Sequence, residues 1–419
     1  MVDYTTKISV LKRAIFKFAE KILAGMKRPF HKFAADMCYG VMASKSCVIS
    51  DIAQELQEET QKINTIERLT RHLSTEIPET VQNNYLDTMK KYLPDDVVIH
   101  IDDSDVVKPC GRAFEGISRV RDGSRSTQAK CVMGNGYYVT EATAMTKSSH
   151  PVSIFSEVWS AESAEFTSGG KFEYTKKAIN ACTERLGHGI FVMDRGYDDH
   201  DVFRLLDRQK QDYVIRLKLN RKVRIHGKKY SIDELCSKYS GKYAAKVIYH
   251  GRVRKVKLTA VKGFLSGSDR LLSLILVFGL SDHPMVLATN LCADTKKQVT
   301  AAMRHYFSRW RIEEYFRCKK QSFSFENFRV RSLSAIHSLN FFLSACMLFL
   351  AILRETSAKN SLFQFCIDAA APLKPKVYFL YYRLLQGLHL ILSKSRTGIR
   401  AFFKPLRPNQ TQLKIRGFA

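Results

Sequence analysis

Two short runs of β-branched and apolar residues each end in aspartate, and this limits what the chain can fold into more than any other feature. The first is V-V-I-H-I, residues 97–101, which leads into Asp102, Asp103, Ser104 and Asp105. The second, Gly189–Met193, leads into Asp194, Arg195 and Gly196. Runs of this composition and length predict strands. Helical patterns at Tyr174–Leu186 and Asp199–Leu206 alternate with them, followed by a strand at Tyr213–Leu217. Strands that deliver carboxylates at their C-terminal ends, separated by helices, predict an α/β fold with a polar site at the strand tips. The bland reading is that each aspartate only caps the turn or helix that follows it.

The texture of the chain suggests its divisions. Residues 1–93 read as helical, with apolar positions at helical spacing and Lys and Arg between them from Ile8 to Met26. Ser50 is placed to cap a helix beginning D-I-A-Q-E-L, and Asn64 or Thr65 to start I-E-R-L-T-R-H-L. Lys7, Lys12, Lys21, Lys27 and Arg28 make this region a candidate DNA-binding module; a generic helical bundle is the other reading. Residues 94–217 form the first part of a core. Within it, Lys130–Met133 and Tyr137–Met145 read as strands joined across a G-N-G turn, and residues 146–169 as a polar connection. Residues 218–296 hold K-V-R-I-H, A-A-K-V-I-Y-H, V-R-K-V-K-L-T-A-V, L-L-S-L-I-L-V-F and P-M-V-L-A-T-N, a β-rich insertion. Its basic cluster Arg221–Arg224 reads as a DNA contact or a solvated strand edge. Residues 297–332 carry a further core helix. Residues 333–419 are helical and end in a basic tail with Lys374, Lys376 and Lys404, whose last stretch reads as loosely ordered.

The core helix is Y-F-S-R-W-R-I-E-E-Y-F-R-C-K-K, residues 306–320, uninterrupted by Gly or Pro. Tyr306, Arg309, Glu313 and Lys320 sit at offsets 0, 3, 7 and 14, and at about 100° per residue they share one face within roughly 60°. A face bearing a hydroxyl, a guanidinium, a carboxylate and an ammonium suits phosphate and metal better than a core. Trp310 beside it reads as a core residue, with stacking on a displaced base as the alternative.

Charge narrows the function. Lys and Arg number 67 against 40 Asp and Glu, a net +27, which favours a polyanion partner, nucleic acid before a membrane surface. The ten cysteines show no C-x-x-C pair, which argues against a zinc module and for free thiols in a reducing compartment. M-V-D-Y-T-T-K does not read as a signal peptide. The apolar run Phe341–Leu353 spans 13 residues, short for a membrane helix, and predicts a buried one. Asp102, Asp194 and Glu313 come from elements distant in sequence, and hard divalent cations take carboxylate oxygens. Two Mg²⁺ ions so held activate water or a DNA 3′-hydroxyl and stabilise a leaving oxygen.

These residues resemble the DDE transposases of bacterial insertion sequences, in the branch marked by Y-x2-R-x3-E-x6-K. Tyr306, Arg309, Glu313 and Lys320 meet all three spacings. I-D-D-S-D resembles the family's first catalytic segment and D-R-G-Y-D its second. The likeness covers roughly residues 20–400. It implies a ribonuclease-H-like catalytic core interrupted by a β-rich insertion and flanked by N- and C-terminal helical regions. It implies that Asp102, Asp194 and Glu313 hold Mg²⁺ (or Mn²⁺), while Tyr306, Arg309 and Lys320 grip phosphates near the cleaved end. The implied partners are double-stranded DNA with terminal inverted repeats and a target DNA, with a homodimer in the DNA complex, in the bacterial cytoplasm at the nucleoid. Weaker candidates are Lys108, Arg112 and Arg195. A stand-alone nuclease of the same fold and an inactive DNA-binding relative are the alternatives.

Overall fold

The computed structural model describes residues 4–127, 129–249, 252–281, 283–371 and 379–403; Lys374, Lys376, Lys404 and the final polar stretch, assigned above to a basic tail, lie outside them. Five helices come first: α1 (Tyr4–Ile22), α2 (Arg28–Ser44), α3 (Ile49–Leu56), α4 (Lys62–Leu73) and α5 (Glu79–Lys90). Neither expected cap sits where the sequence placed it. Ser50 and Asn64 lie inside α3 and α4. Ser46 instead accepts from the Val48 N–H through its hydroxyl (3.0 Å), just ahead of α3.

The strands and helices that follow are β1 (Val98–Val107), β2 (Ser118–Arg121), β3 (Met133–Met145), β4 (Pro151–Trp159), α6 (Ala164–Gly169), α7 (Lys171–Leu186), β5 (Ile190–Met193), α8 (His200–Arg208) and β6 (Asp212–Arg216). Next are β7 (Lys222–Ile225), β8 (Lys228–Ser231), α9 (Ile232–Lys238), β9 (Tyr243–Tyr249), β10 (Arg252–Leu265), β11 (Leu271–Phe278) and β12 (Met285–Thr289). All strands join one open sheet, ordered β2-β3-β1-β5-β6-β12-β11-β10-β7-β8, with β4 on β3 and β9 on β10. The pairs β1–β5 and β5–β6 are parallel and the others antiparallel. The result is a mixed α/β fold in which a central sheet is flanked by helices. The strands after residue 218 continue that sheet, linked to it where β12 pairs with β6.

Two expectations fail at β3 and β4. The G-N-G segment makes no turn; β3 runs straight through it. A Cβ on Gly136 would stand 2.3 Å from the Val106 carbonyl oxygen, so the glycine serves a close backbone approach between paired strands. The polar connection at 146–169 contains β4, whose Ser153 and Ser156 are polar because they bond the buried Glu141 of β3.

The chain ends with α10 (Lys296–Ser308), α11 (Trp310–Arg317), α12 (Leu333–Glu355), α13 (Ser361–Ala369) and α14 (Tyr381–Leu392). Thr295 and Gln298 form a capping box that starts α10. Its Val299, Ala302, Met303 and Tyr306 pack on Val192, Val214, Ile275 and Leu287 of the sheet. On apolarity and length α12 could cross a membrane, but 83% of its most apolar window is buried inside the protein. It is apolar on all sides because it is surrounded, by β4, α2 and α14 among others.

Candidate active site

Side-chain alternation sorts the aspartates of β1 onto opposite faces. His100 meets Ser308 (2.8 Å) and Asp102 meets Arg309 (2.8 Å), so the even-numbered residues face α10 and α11. Asp103 points the other way, where the Thr140 hydroxyl donates to it and Lys171 of α7 lies 2.6 Å off. The parallel register pairs His100 with Val192. Two residues further along each segment stand Asp102 and Asp194, near enough that the Asp194 charge raises the Asp102 carboxyl. Asp194 also does what the bland reading allowed: its Oδ1 accepts from the Gly196 N–H at 2.6 Å.

The signature helix is not continuous. Arg309 joins α10 to α11, and a π-helical turn, Cys318–Ser322, ends the run. Such a turn resets which residues share a face, and π-turns are frequent at functional sites. Arg309, at the α10–α11 junction, sits opposite the middle of β1, which runs on past Asp102 to Val107 instead of ending there, and its two arms reach two carboxylates. Nη1 donates to Asp102 Oδ2 at 2.8 Å and Nη2 to Glu313 Oε1 at 2.5 Å. Tyr306, one turn earlier, is buried and interacts with Arg216 at the tip of β6. Lys320 lies apart from this group: it pairs with Asp105 (3.5 Å) and Glu326 (3.1 Å), about 10 Å further along β1.

Burial pushes the Asp102 carboxyl up to about 7. Arg309 opposes that, whereas Asp194 and Asp103 add to it by repulsion. Burial works against the Arg309 guanidinium, but Asp102 and Glu313 more than offset it and hold the charge firmly on. His100 is fully buried and driven down to about 3, first by burial and then by Arg309. It is therefore neutral. The Ser308 hydroxyl already donates to the His305 carbonyl (2.6 Å), so His100 donates from Nε2. This bond fixes the end of α10 immediately before Arg309.

The donor set has the chemistry a hard divalent ion requires: carboxylate oxygens from the middle of β1, the end of β5 and a helix, with Asp102 and Asp194 close enough to repel each other. Asp102, Asp194 and Glu313 thus fit such an ion in kind. Among the described residues, however, no group of three or more His, Cys, Asp or Glu is gathered to hold one. The positive charge between Asp102 and Glu313 is that of Arg309.

Several side chains have roles other than those expected. Trp310 is not a core residue; it is 36% exposed, with the Arg317 guanidinium 5.8 Å from its ring centre. Lys108 is buried and donates to the Glu326 and Phe328 carbonyls, a structural tie. Arg221 is taken by the buried Asp198. Arg195 is exposed. The sequence reading passed over Lys171, Arg216 and Lys319. A lysine in the first turn of α7 opposes the helix dipole, which is a sign that Lys171 has another partner. Arg216 ends a strand beside β5 and the Asp194 that follows it, the same positional signal that marked Asp194. Lys319 gave no signal within its run of charges.

An open α/β sheet thus carries an aspartate within β1 and another just past β5, and the β1 aspartate faces an arginine and a glutamate at the α10–α11 junction. Residues 168–350 match the family model of the transposase DDE domain. Over that span the chain carries a DDE transposase domain of the insertion-sequence type. The match includes Asp194, Arg309, Glu313 and Lys320 and begins after Asp102. A search of curated proteins finds none that matches the chain.

Proposed function

We propose that this protein is a DNA transposase that cleaves the ends of an insertion sequence and joins them to target DNA. The observation that supports this reading is Arg309 bonded to both Asp102 and Glu313, with the Asp194 charge felt at Asp102, inside a chain with a transposase DDE domain and a net charge of +27. The ribonuclease-H-like description of the core belongs to the proposal; the order β3-β1-β5-β6, with β1, β5 and β6 parallel, supports it.

Asp102, Asp194 and Glu313 would hold Mg²⁺ or Mn²⁺. Such ions lower the cost of deprotonating the attacking water or 3′-hydroxyl and stabilise the leaving oxygen. The chain's own groups bind and orient the DNA. Arg309 offers a planar fork matched to a phosphate, Lys320 a point charge, and Tyr306 a hydroxyl held near Arg216. His100 keeps the Arg309 segment in place without adding charge. The dispersed basic surface attracts the duplex at long range. The proposed partners are an inverted-repeat duplex, a target duplex and a second copy of the chain in the DNA complex, in the bacterial cytoplasm.

The test is a strand-transfer assay on linear DNA carrying the element's own flanking ends, in Mg²⁺. Joined products are expected from the wild type. Asp102→Asn, Asp194→Asn and Glu313→Gln should each abolish cleavage while sparing most DNA affinity. Cuts without joining would make the protein a nuclease. DNA binding with no metal-dependent cleavage at all would make it an inactive relative.

A further inference from the structure

Arg309 stands where a divalent cation would have to enter. Its two arms bond Asp102 and Glu313, and its side chain is only 16% exposed. One guanidinium therefore occupies an oxygen on each of two of the three carboxylates assigned to the metal. An ion approaching Asp102 and Glu313 meets a fixed positive charge at contact distance and must displace two charge-assisted hydrogen bonds. In the same arrangement, no group of three acidic or other ligating side chains among the described residues is closed around a possible ion.

We propose that Arg309 keeps the divalent site of the free protein shut, and that a DNA phosphate opens it by drawing the guanidinium off the two carboxylates. This rests on the reading of Asp102, Asp194 and Glu313 as metal ligands. The phosphate can do this because it presents the same paired oxygens as a carboxylate and accepts the same planar fork. The movement needed is that of one long side chain. Arg309 lies one helical turn from Tyr306, which feels both Arg309 and Arg216 of β6, so a phosphate reaching Arg309 enters a region of positive charge that stays in place. Lys171 acts differently. It pairs with Asp103 and acts on Asp102 and Asp194 only through its charge, with no bond to either. The consequence is regulatory: the free protein holds no loaded hydrolytic centre, and the site fills only when DNA is seated.

The coupling is measurable without any cleavage. Free Mn²⁺ is followed by electron paramagnetic resonance during titration of the full-length protein, alone and with a duplex oligonucleotide copied from DNA flanking its gene. The duplex should tighten Mn²⁺ binding to the wild type by about 5- to 150-fold, and Mn²⁺ should tighten duplex binding by the same factor. Arg309→Ala should bind Mn²⁺ tightly without DNA, and the duplex should then add little. Lys171→Ala, which removes a nearby charge that bridges nothing, should retain the DNA dependence. Equal Mn²⁺ affinity with and without duplex in the wild type overturns the proposal, and that comparison needs no variant. So does an Arg309→Ala protein that still requires DNA. If the coupling is present but strand transfer is absent, the transposase reading fails and the Arg309 gate stands.

Discussion

Lys319→Met tests whether the π-turn beside the site is pinned by a buried charge. Lys319 is 1% exposed and donates to Glu141 (2.8 Å), Asn340 (3.1 Å) and Ser344 (3.0 Å), which uses all three ammonium protons. Burial lowers its proton affinity and Glu141 restores part of it. Methionine keeps the volume and removes the charge, leaving Glu141, 0% exposed, with hydrogen bonds from Ser153 and Ser156 but no cation. Breaking one side of a buried pair costs about 3–5 kcal/mol. The orphaned carboxylate can escape by taking up a proton. Relative to a glutamate in water, that costs about 4 kcal/mol at pH 7 and about 1 kcal/mol at pH 5. The charge part of the penalty should therefore shrink by roughly 3 kcal/mol between these conditions. Urea midpoints at both pH values read the effect. The double variant Glu141→Gln/Lys319→Met should recover most of the loss at pH 7. A penalty below about 1 kcal/mol at pH 7, or one equal at both pH values, would refute the argument, since either means that Glu141 already reaches water or a second cation.

Other outcomes follow from the same structure. His100 and His150 are buried and held down to about 3 and about 4. The unfolded chain protonates them near 6.5 while the folded one does not, so the stability they contribute is intact above that pH and lost as pH falls through it; at pH 5 the loss is about 2 kcal/mol each. His150→Gln should flatten the acid side of the melting-temperature profile, and an unchanged slope would contradict the assignment. Gly387→Ala places a Cβ 1.7 Å from the Cys366 carbonyl oxygen, which forces α13 from α14 and should cost at least about 3 kcal/mol in denaturant unfolding. Lys320→Ala should weaken binding to flanking-end duplex and reduce the slope of log affinity against log salt by about one. An unchanged slope would leave Lys320 as only a partner of Asp105 and Glu326.

Local pattern carried much of this protein. Short β-branched runs leading into Asp102 and Asp194 marked two strands because strand propensity and the absence of breakers act over a few residues; only Asp194 lies at a strand end, since pairing with β3 carries β1 on to Val107. The five strand runs after residue 218 were legible for the same reason, as was the buried helix around Phe341–Leu353. The run from Tyr306 to Lys320 marked a helix, since a helical period is set by neighbours in sequence.

Tertiary contact decided the rest. G-N-G looks like a turn until Val106 lies against Gly136, and the serines of β4 look like a loop until Glu141 requires donors. Helical period alone placed Lys320 with Glu313; the π-turn sends it to Asp105 and turns Lys319 into the core. Which carboxylates Arg309 bridges depends on the register of β1 with β5 and on where α10 lands on the sheet. Arg309 and Glu313 are one helical turn apart and meet locally, but charges also bond across any distance in sequence, and residues 102 and 194 carry no local trace of that pair. Only the packed sheet and helices bring them within reach.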